Sequence, residues 1–325
     1  MNRFWASCGA IFLSAWVSQS AATPTLTAAG VADGFTLSQF AFNFPTTGCC
    51  GPLGIAFPST GGVMVTDYPG NVRVFPTDTD GQNAASVPVA QNYGATNAVG
   101  LTRDGAAIYM TQQFGNSQLV QVNDDGTFNQ VIATGLTDAT GIVNDPANGH
   151  VFVSDCCDGG HIWDVDPLAK TVTTFKSGFT ADGLTISPDG ATLYAEVGGH
   201  ILGFSTATGV QVFDSGFISG ADGTALGFGT LAGNIFVNTN FGQVVEVSLA
   251  TSVQTVIVDS GSRGDFVTPD PNGSLLFTQS TDIWRLTPAA GGCIGNECAV
   301  PEPATLGLLG LGLAALGFSR RKREP

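Results

Sequence analysis

Residues 182–204 read Asp182-Gly-Leu-Thr-Ile-Ser-Pro-Asp-Gly-Ala-Thr-Leu-Tyr-Ala-Glu-Val-Gly-Gly-His-Ile-Leu-Gly-Phe204. The stretch opens on a turn residue and Gly, runs through a short apolar strand, and breaks at Pro-Asp-Gly. It resumes as a strongly β segment, crosses a Gly-Gly loop and ends in a third strand. The same plan begins again at Leu53, Val99, Thr140, Asp222 and Asp265, so the starts are separated by 46, 41, 42, 40 and 43 residues. A period near forty that fills most of the chain is the mark of a radially repeated β architecture. Runs such as Val63-Met-Val-Thr66, Val151-Phe-Val-Ser154 and Asn234-Ile-Phe-Val237 sit between turn residues, as short antiparallel strands require.

A fourth, outer strand follows in five units: ASVPVAQ, FNQVIAT, TVTTFKS, VQVFDS and VQTVIVD. The sixth unit lacks one. The segment GFTLSQFAFNF, residues 34–44, precedes the first unit and is free to fill that place. A chain that lends its N-terminal strand to the last blade closes the ring and covers two bare sheet edges. The sequence therefore predicts an all-β, six-bladed β-propeller over residues 34–290. The elements Asp182-Gly183, Pro188-Asp189-Gly190 and Val153-Ser-Asp155 resemble those of six-bladed NHL and gluconolactonase-type (TolB-like) propellers. That resemblance implies a channel in which Glu, Asn and Asp hold a divalent metal. This chain places Pro52-Leu53 and Ala98-Val99 where blades one and two would supply polar ligands, a departure from a lactonase site.

The two ends read as addresses. Arg3, an apolar run over residues 4–17 and small residues up to Ala22 form a secretory signal peptide, residues 1–22. At the other end Pro301-Glu302-Pro303 precedes fifteen uncharged residues, 304–318, and the basic cluster Arg320-Arg321-Lys322-Arg323. As a helix the apolar segment would be about 22 Å long, with the basic cluster kept cytoplasmic. Box, helix and cluster in this order resemble the PEP-CTERM sorting signal of Gram-negative bacteria that make exopolysaccharide. The resemblance implies Sec export, a single C-terminal transmembrane helix, recognition near Pro301-Glu302-Pro303 by an exosortase, and release to the envelope or extracellular matrix. Residues 291–300 are left as a Cys-containing linker and residues 301–325 as the sorting signal.

Without residues 1–22 and 301–325 the chain keeps six basic and 24 acidic residues, a net charge near −18. Such a surface repels phosphate backbones and argues against nucleic acid. Cations, polysaccharides and surface proteins remain compatible partners. Six cysteines remain in this region, an even number that suits disulfides in an exported chain. Cys293 and Cys298 are close enough to close a local loop. Cys49, Cys50, Cys156 and Cys157 have two solutions. Either neighbours pair across about 3.8 Å, below the usual Cα span of about 4.4–6.8 Å, or the two doublets pair with each other.

In a propeller the first residue of each inner strand lies at one rim of the channel. Aligning the units puts Asp182, Asp222 and Asp265 on one arc of that rim, with Leu53, Val99 and Thr140 completing it. Three carboxylates suit a hard cation such as Ca²⁺, and the same side chains also suit turns that bond backbone N–H groups. The loops before inner strands and between second and third strands share that face, which gathers both cysteine doublets with Gln113, Glu196 and Asn240. His161 and His200 start third strands, where other units carry Asn71, Gln118, Gln243 and Asp282, so the slot is a polar one rather than a catalytic one. The acidic loops at Asp78 and Asn123 read as turns. No Gly-x-Ser-x-Gly elbow or phosphate loop is present, and no residue is assigned a catalytic role. The expected function is an exosortase-processed binding or scaffold protein at the cell surface or matrix. The alternative is a secreted, metal-dependent hydrolase or lyase working at the channel through Asp182, Asp222 and Asp265.

Overall fold

The computed structural model describes residues 22–48, 50–157 and 160–295. Six antiparallel sheets follow one another around a ring, and each successive unit of the repeat forms one blade. Blade four shows the plan, with strands Leu184–Ile186, Thr192–Val197, His200–Ser205 and Gln211–Phe217 from the axis outward. Its first turn closes because Asp189 accepts from Ala191 N at 3.0 Å and from Ser187 Oγ at 2.6 Å. Gly190 takes φ +69°, and a Cβ there would lie 2.4 Å from Asp145 of blade three. Blade six is completed as expected: Thr36–Phe42 pairs with Ile283–Thr287, so the N-terminal strand closes the ring.

The sheets also recruit segments that the repeat does not announce. Thr25–Leu26 adds to the outer edge of blade five. The short helix Ala28–Ala32, capped by Thr27, follows it. Gly292–Ile294, in the stretch expected as a linker, pairs with the inner strand Ala221–Gly229 of blade five. Gln82–Asn83 leaves blade one to lie parallel to Thr36–Phe42. Arg285 clasps this seam. It bonds Asp78 at 2.6 Å and Asp80 at 2.8 Å on the crossing loop, as well as Asp270 of blade six, and its guanidinium lies over Phe40. The acidic loop at Asp78 is thus a structural turn facing an arginine. Burial pushes the Asp78 carboxyl up to about 6, with Arg285 opposing the shift.

The hydrophobic core is divided among the blade interfaces. Between blades one and two, Met64 and Val72 meet Ile108, Met110 and Val120. Between blades five and six, Phe236 and Val258 meet Leu275, Phe277 and Leu286. Strand alternation explains this, because each blade shows one apolar face to each neighbour.

At the axis the packing is backbone on backbone. A Cβ on Gly54 would lie 2.3 Å from Val99 O, on Gly141 2.0 Å from Asp182 O and on Gly183 2.4 Å from Asp222 O. Gly100 and Gly223 meet Thr140 O and Asp265 O in the same way. Five blades therefore need Gly at this slot, and blade six, with Phe266 there, packs it against Cys50, Leu53 and Val99. Hydroxyls on the second strands reinforce the ring. Thr66 donates to Val99 O at 2.5 Å, Thr111 to Thr140 O at 2.8 Å and Ser154 to Asp182 O at 2.6 Å, each reaching the next blade.

Candidate functional site

The axial frame fixes where the rim side chains sit. Asp182, Asp222 and Asp265 stand at the starts of the inner strands of blades four, five and six, and the structure brings them together as the sequence placed them. Each feels at least one of the others electrostatically. Two further charges join them. Glu196, at the end of the second strand of blade four, accepts from Gly199 N at 2.6 Å. Arg263, two residues before Asp265, holds that carboxylate through Nη2 at 2.5 Å and Nε at 3.0 Å. Asn240 donates to Asp222 Oδ2 at 3.2 Å.

Four carboxyls beside one guanidinium in a cramped mouth cannot all ionise at ordinary pH. Burial pushes Asp182 up to about 7, helped by Glu196 and Asp265 and opposed by Arg263. Asp222 is raised well above the usual carboxylate range, first by burial and then by Asp182, Asp265 and Glu196. Burial also raises Asp265 and Glu196, offset by Arg263 and by the Gly199 N–H respectively. Protonated carboxyls both donate and accept hydrogen bonds, so the mouth is more versatile than its formal charge suggests. Two oxygens here, Asp182 Oδ1 and Asn240 Oδ1, are buried and make no hydrogen bond.

The opposite arc is apolar. Cys50, Leu53 and Val99 form a small cluster, with Tyr68 and Phe266 packed on it. Blade three lies between the two arcs and carries a disulfide between neighbours, Cys156 and Cys157, whose Cα atoms are 3.8 Å apart. The structure thus selects neighbour pairing for this doublet. Gln113 Nε2 lies 2.8 Å from Cys156 Sγ and 3.1 Å from Thr140 Oγ1, tying blade two to the disulfide. Cys50 and Cys293 each take part in a disulfide of their own. Cys49 and Cys298 lie outside the described residues.

The donor set bears on the metal expectation. Asp265 is engaged by Arg263, Asp222 by Asn240 and Glu196 by a backbone N–H, while Leu53 and Val99 offer no oxygen side chain. Among the described residues no three His, Cys, Asp or Glu are disposed to hold a metal ion. A divalent cation would have to displace Arg263, which already supplies positive charge at the arc, so this arrangement does not fit one.

The histidines behave as the polar slot implied. His161 stacks on Trp163 with centroids 4.6 Å apart. His200 Nδ1 lies 2.8 Å from Asp214 Oδ1, and His150 Nδ1 lies 2.7 Å from Asp164 Oδ1. The loop at Asn123 is likewise a turn, in which Asp125 accepts from Thr127 N at 3.0 Å. Arg263 is the site residue that pattern reading missed. Its signal was rarity, because it is one of only six basic residues outside the terminal segments.

At the far end of the chain, the comparison with known families is decisive. Residues 299–323 match the PEP-CTERM protein-sorting motif. The PEP-CTERM motif implies processing by an exosortase and indicates an exported chain that is anchored in a membrane and then cut. Its Pro301-Glu302-Pro303 box, the helix expected over residues 304–318 and the Arg320–Arg323 cluster lie outside the described residues, as does nearly all of the N-terminal signal. Among the described residues no helix is long and apolar enough to cross a membrane. No curated protein sequence matches the chain.

Solved structures match the ring. A gluconolactonase from Xanthomonas campestris aligns with TM-score 0.64 and 16% identity, over 83% of this chain and 97% of that one. The calcium structure of a Trichoderma reesei carbohydrate-active enzyme of family AA12 aligns with TM-score 0.59 and 13% identity, over 83% and 98%. A glucose dehydrogenase aligns with TM-score 0.58 and 16% identity, over 78% and 100%. Identities this low establish the shared propeller fold alone.

Proposed function

We propose that the protein is an exported, exosortase-processed propeller that binds a carbohydrate of the cell surface or exopolysaccharide matrix at its acidic mouth. The observation that carries this reading is the two-sided mouth. Desolvated carboxyl and carboxamide groups on blades four to six, including the unpartnered Asp182 Oδ1, share the mouth with the half-buried rings of Tyr68 and Phe266, which pack on the buried Leu53 and Val99. A sugar ring has the complementary surfaces, hydroxyls at its edge and C–H groups on its face, and pockets of this kind combine apolar walls with a few placed polar groups. The sorting motif starts at residue 299, past Gly295, which lies at the opposite mouth.

Glycan-array binding by the processed protein, with and without Ca²⁺, tests this reading. Binding independent of Ca²⁺ and lost in Asp182→Asn/Asp222→Asn is the expected outcome; an array without signal, or one that the double variant reproduces, overturns it. Replacing Pro301-Glu302-Pro303 by Ala should leave an uncut, membrane-held form, and unchanged processing would refute the sorting role.

A second reading is a hydrolase or lyase. It is favoured by Asp182, raised to about 7 and therefore suited to proton transfer near neutrality, and by the likeness to a gluconolactonase. Turnover of a sugar lactone that disappears in Asp182→Asn would select it.

A further inference from the structure

The channel has a second mouth, where the inner strands end. It encloses a cavity of about 340 Å³. Every blade contributes at least one aliphatic side chain to its wall, among them Ile55, Leu101, Ile142, Leu184, Leu226 and Val267. At about 30 Å³ per water-sized group there is room for roughly ten such groups. Thr102, Asn144, Thr185 and Thr268 add polar groups to the wall. Two further features stand out. Thr224, 4% exposed, belongs to the lining, and its buried Oγ1 has no hydrogen-bond partner. Arg103 is the only charged residue of the lining among the described residues.

Arg103 differs from the other arginines of the ring. Arg73 pairs with Asp67, Arg263 with Asp265, and Arg285 with Asp78, Asp80 and Asp270. Among the described residues Arg103 forms no ion pair. Two backbone carbonyls hold it instead, Gly105 O through Nε at 2.6 Å and Phe57 O through Nη1. Neutral acceptors fix the direction of the guanidinium without cancelling its charge. In a domain near −18, an oriented and unneutralised cation beside an aliphatic bore is complementary to an anion with an apolar body.

We propose that this mouth binds a small amphipathic carboxylate, its head group paired with Arg103 and its aliphatic body in the bore beside Thr224. This site is separate from the acidic mouth, and its occupancy is independent of the carbohydrate reading. The acidic mouth repels the same ligand, so binding is confined to one end of the channel.

Calorimetric titration of the full chain with decanoate, decanol and decyltrimethylammonium, each below its micellar concentration, tests the proposal. Saturable binding of one decanoate per chain is expected, with no binding of the cationic analogue. Arg103→Gln should weaken decanoate about tenfold, the loss of one charge-assisted contact. Arg103→Lys should stay within about threefold, since it keeps the charge and loses only the fork geometry. Thermal melting of each variant verifies that the ring is intact, and Thr224→Val, which replaces an unpartnered hydroxyl beside the aliphatic body by a methyl, should bind decanoate at least as tightly without lowering the melting temperature; weaker binding by folded Thr224→Val contradicts this placement of the body. Absence of saturable decanoate binding overturns the proposal, including the case in which residues 296–325 already fill the mouth. So does equal binding by folded Arg103→Gln, or equal binding of the cationic analogue.

Discussion

The repeat units of blades four to six open on Asp182, Asp222 and Asp265 and, two to four residues further on, their inner strands present Leu184, Leu226 and Val267. One mouth of the channel is therefore crowded with carboxyls and the other is lined by aliphatic groups, although the same strands build both. The difference teaches that the ring fixes the backbone and leaves the chemistry of each mouth to a single position of the repeat. Between those positions lies the glycine slot, where backbones of adjacent blades touch and no side chain is admitted. The two mouths share a rigid collar and otherwise vary independently.

Breaking the collar should abolish both mouths at once. Gly141→Ala would put a Cβ 2.0 Å from Asp182 O, against backbone that cannot yield without shifting blade four. A loss of more than about 3 kcal/mol is expected, in the range reserved for severe core disruption. Denaturant unfolding measures it, and a near-neutral result would mean that the axial contacts are loose.

A change at Arg263 should separate the mouths. Arg263→Ala leaves Asp265, Asp222, Asp182 and Glu196 without their cation. Because the guanidinium is 37% exposed, a cost of only about 1–2 kcal/mol near pH 8 is expected. That cost should shrink as pH falls and the raised acids take up protons. Decanoate binding at the aliphatic mouth should be unchanged.

The hydroxyl struts give the smallest effect. Ser154→Ala removes one contact, the donation to Asp182 O, and should cost about 1 kcal/mol by thermal melting, with ligand binding at both mouths retained. Blade four already carries Ala195 at the equivalent place on its second strand, so the ring tolerates the loss of one strut.

The repeat made the blades, their order and the closing strand legible, because each depends on alternation and turn residues within about forty positions. The three rim aspartates were legible for the same reason. What the repeat concealed are contacts made across blades. Arg285 reaches Asp78, 207 residues away in the chain, and Thr25–Leu26 pairs with Val258 and Asp259. Neither has a local pattern to betray it. Arg263 was overlooked although its partner Asp265 is two residues away, because no other unit of the repeat carries a basic residue at that place. The Cys156–Cys157 bond was undecided because pairing depends on which loops meet, and the structure joins the two neighbours with Gln113 beside them.

The central physical claim is that the acidic mouth is a desolvated carboxyl cluster rather than a set of solvated surface charges. Its most direct test is stability against pH for the processed protein and for Asp182→Asn/Asp222→Asn. Asp182 sits near 7 in the folded chain and at its ordinary 3.8 when unfolded, so between those values the folded state holds protons that the unfolded state releases. Stability must then fall as pH rises through that window, by up to about 1.4 kcal/mol per pH unit for each such proton. The account predicts that the parent loses stability from pH 4 to 7 more steeply than the double variant, which should be the more stable of the two at pH 7. Parallel curves, or a parent that gains stability over that range relative to the variant, would contradict it.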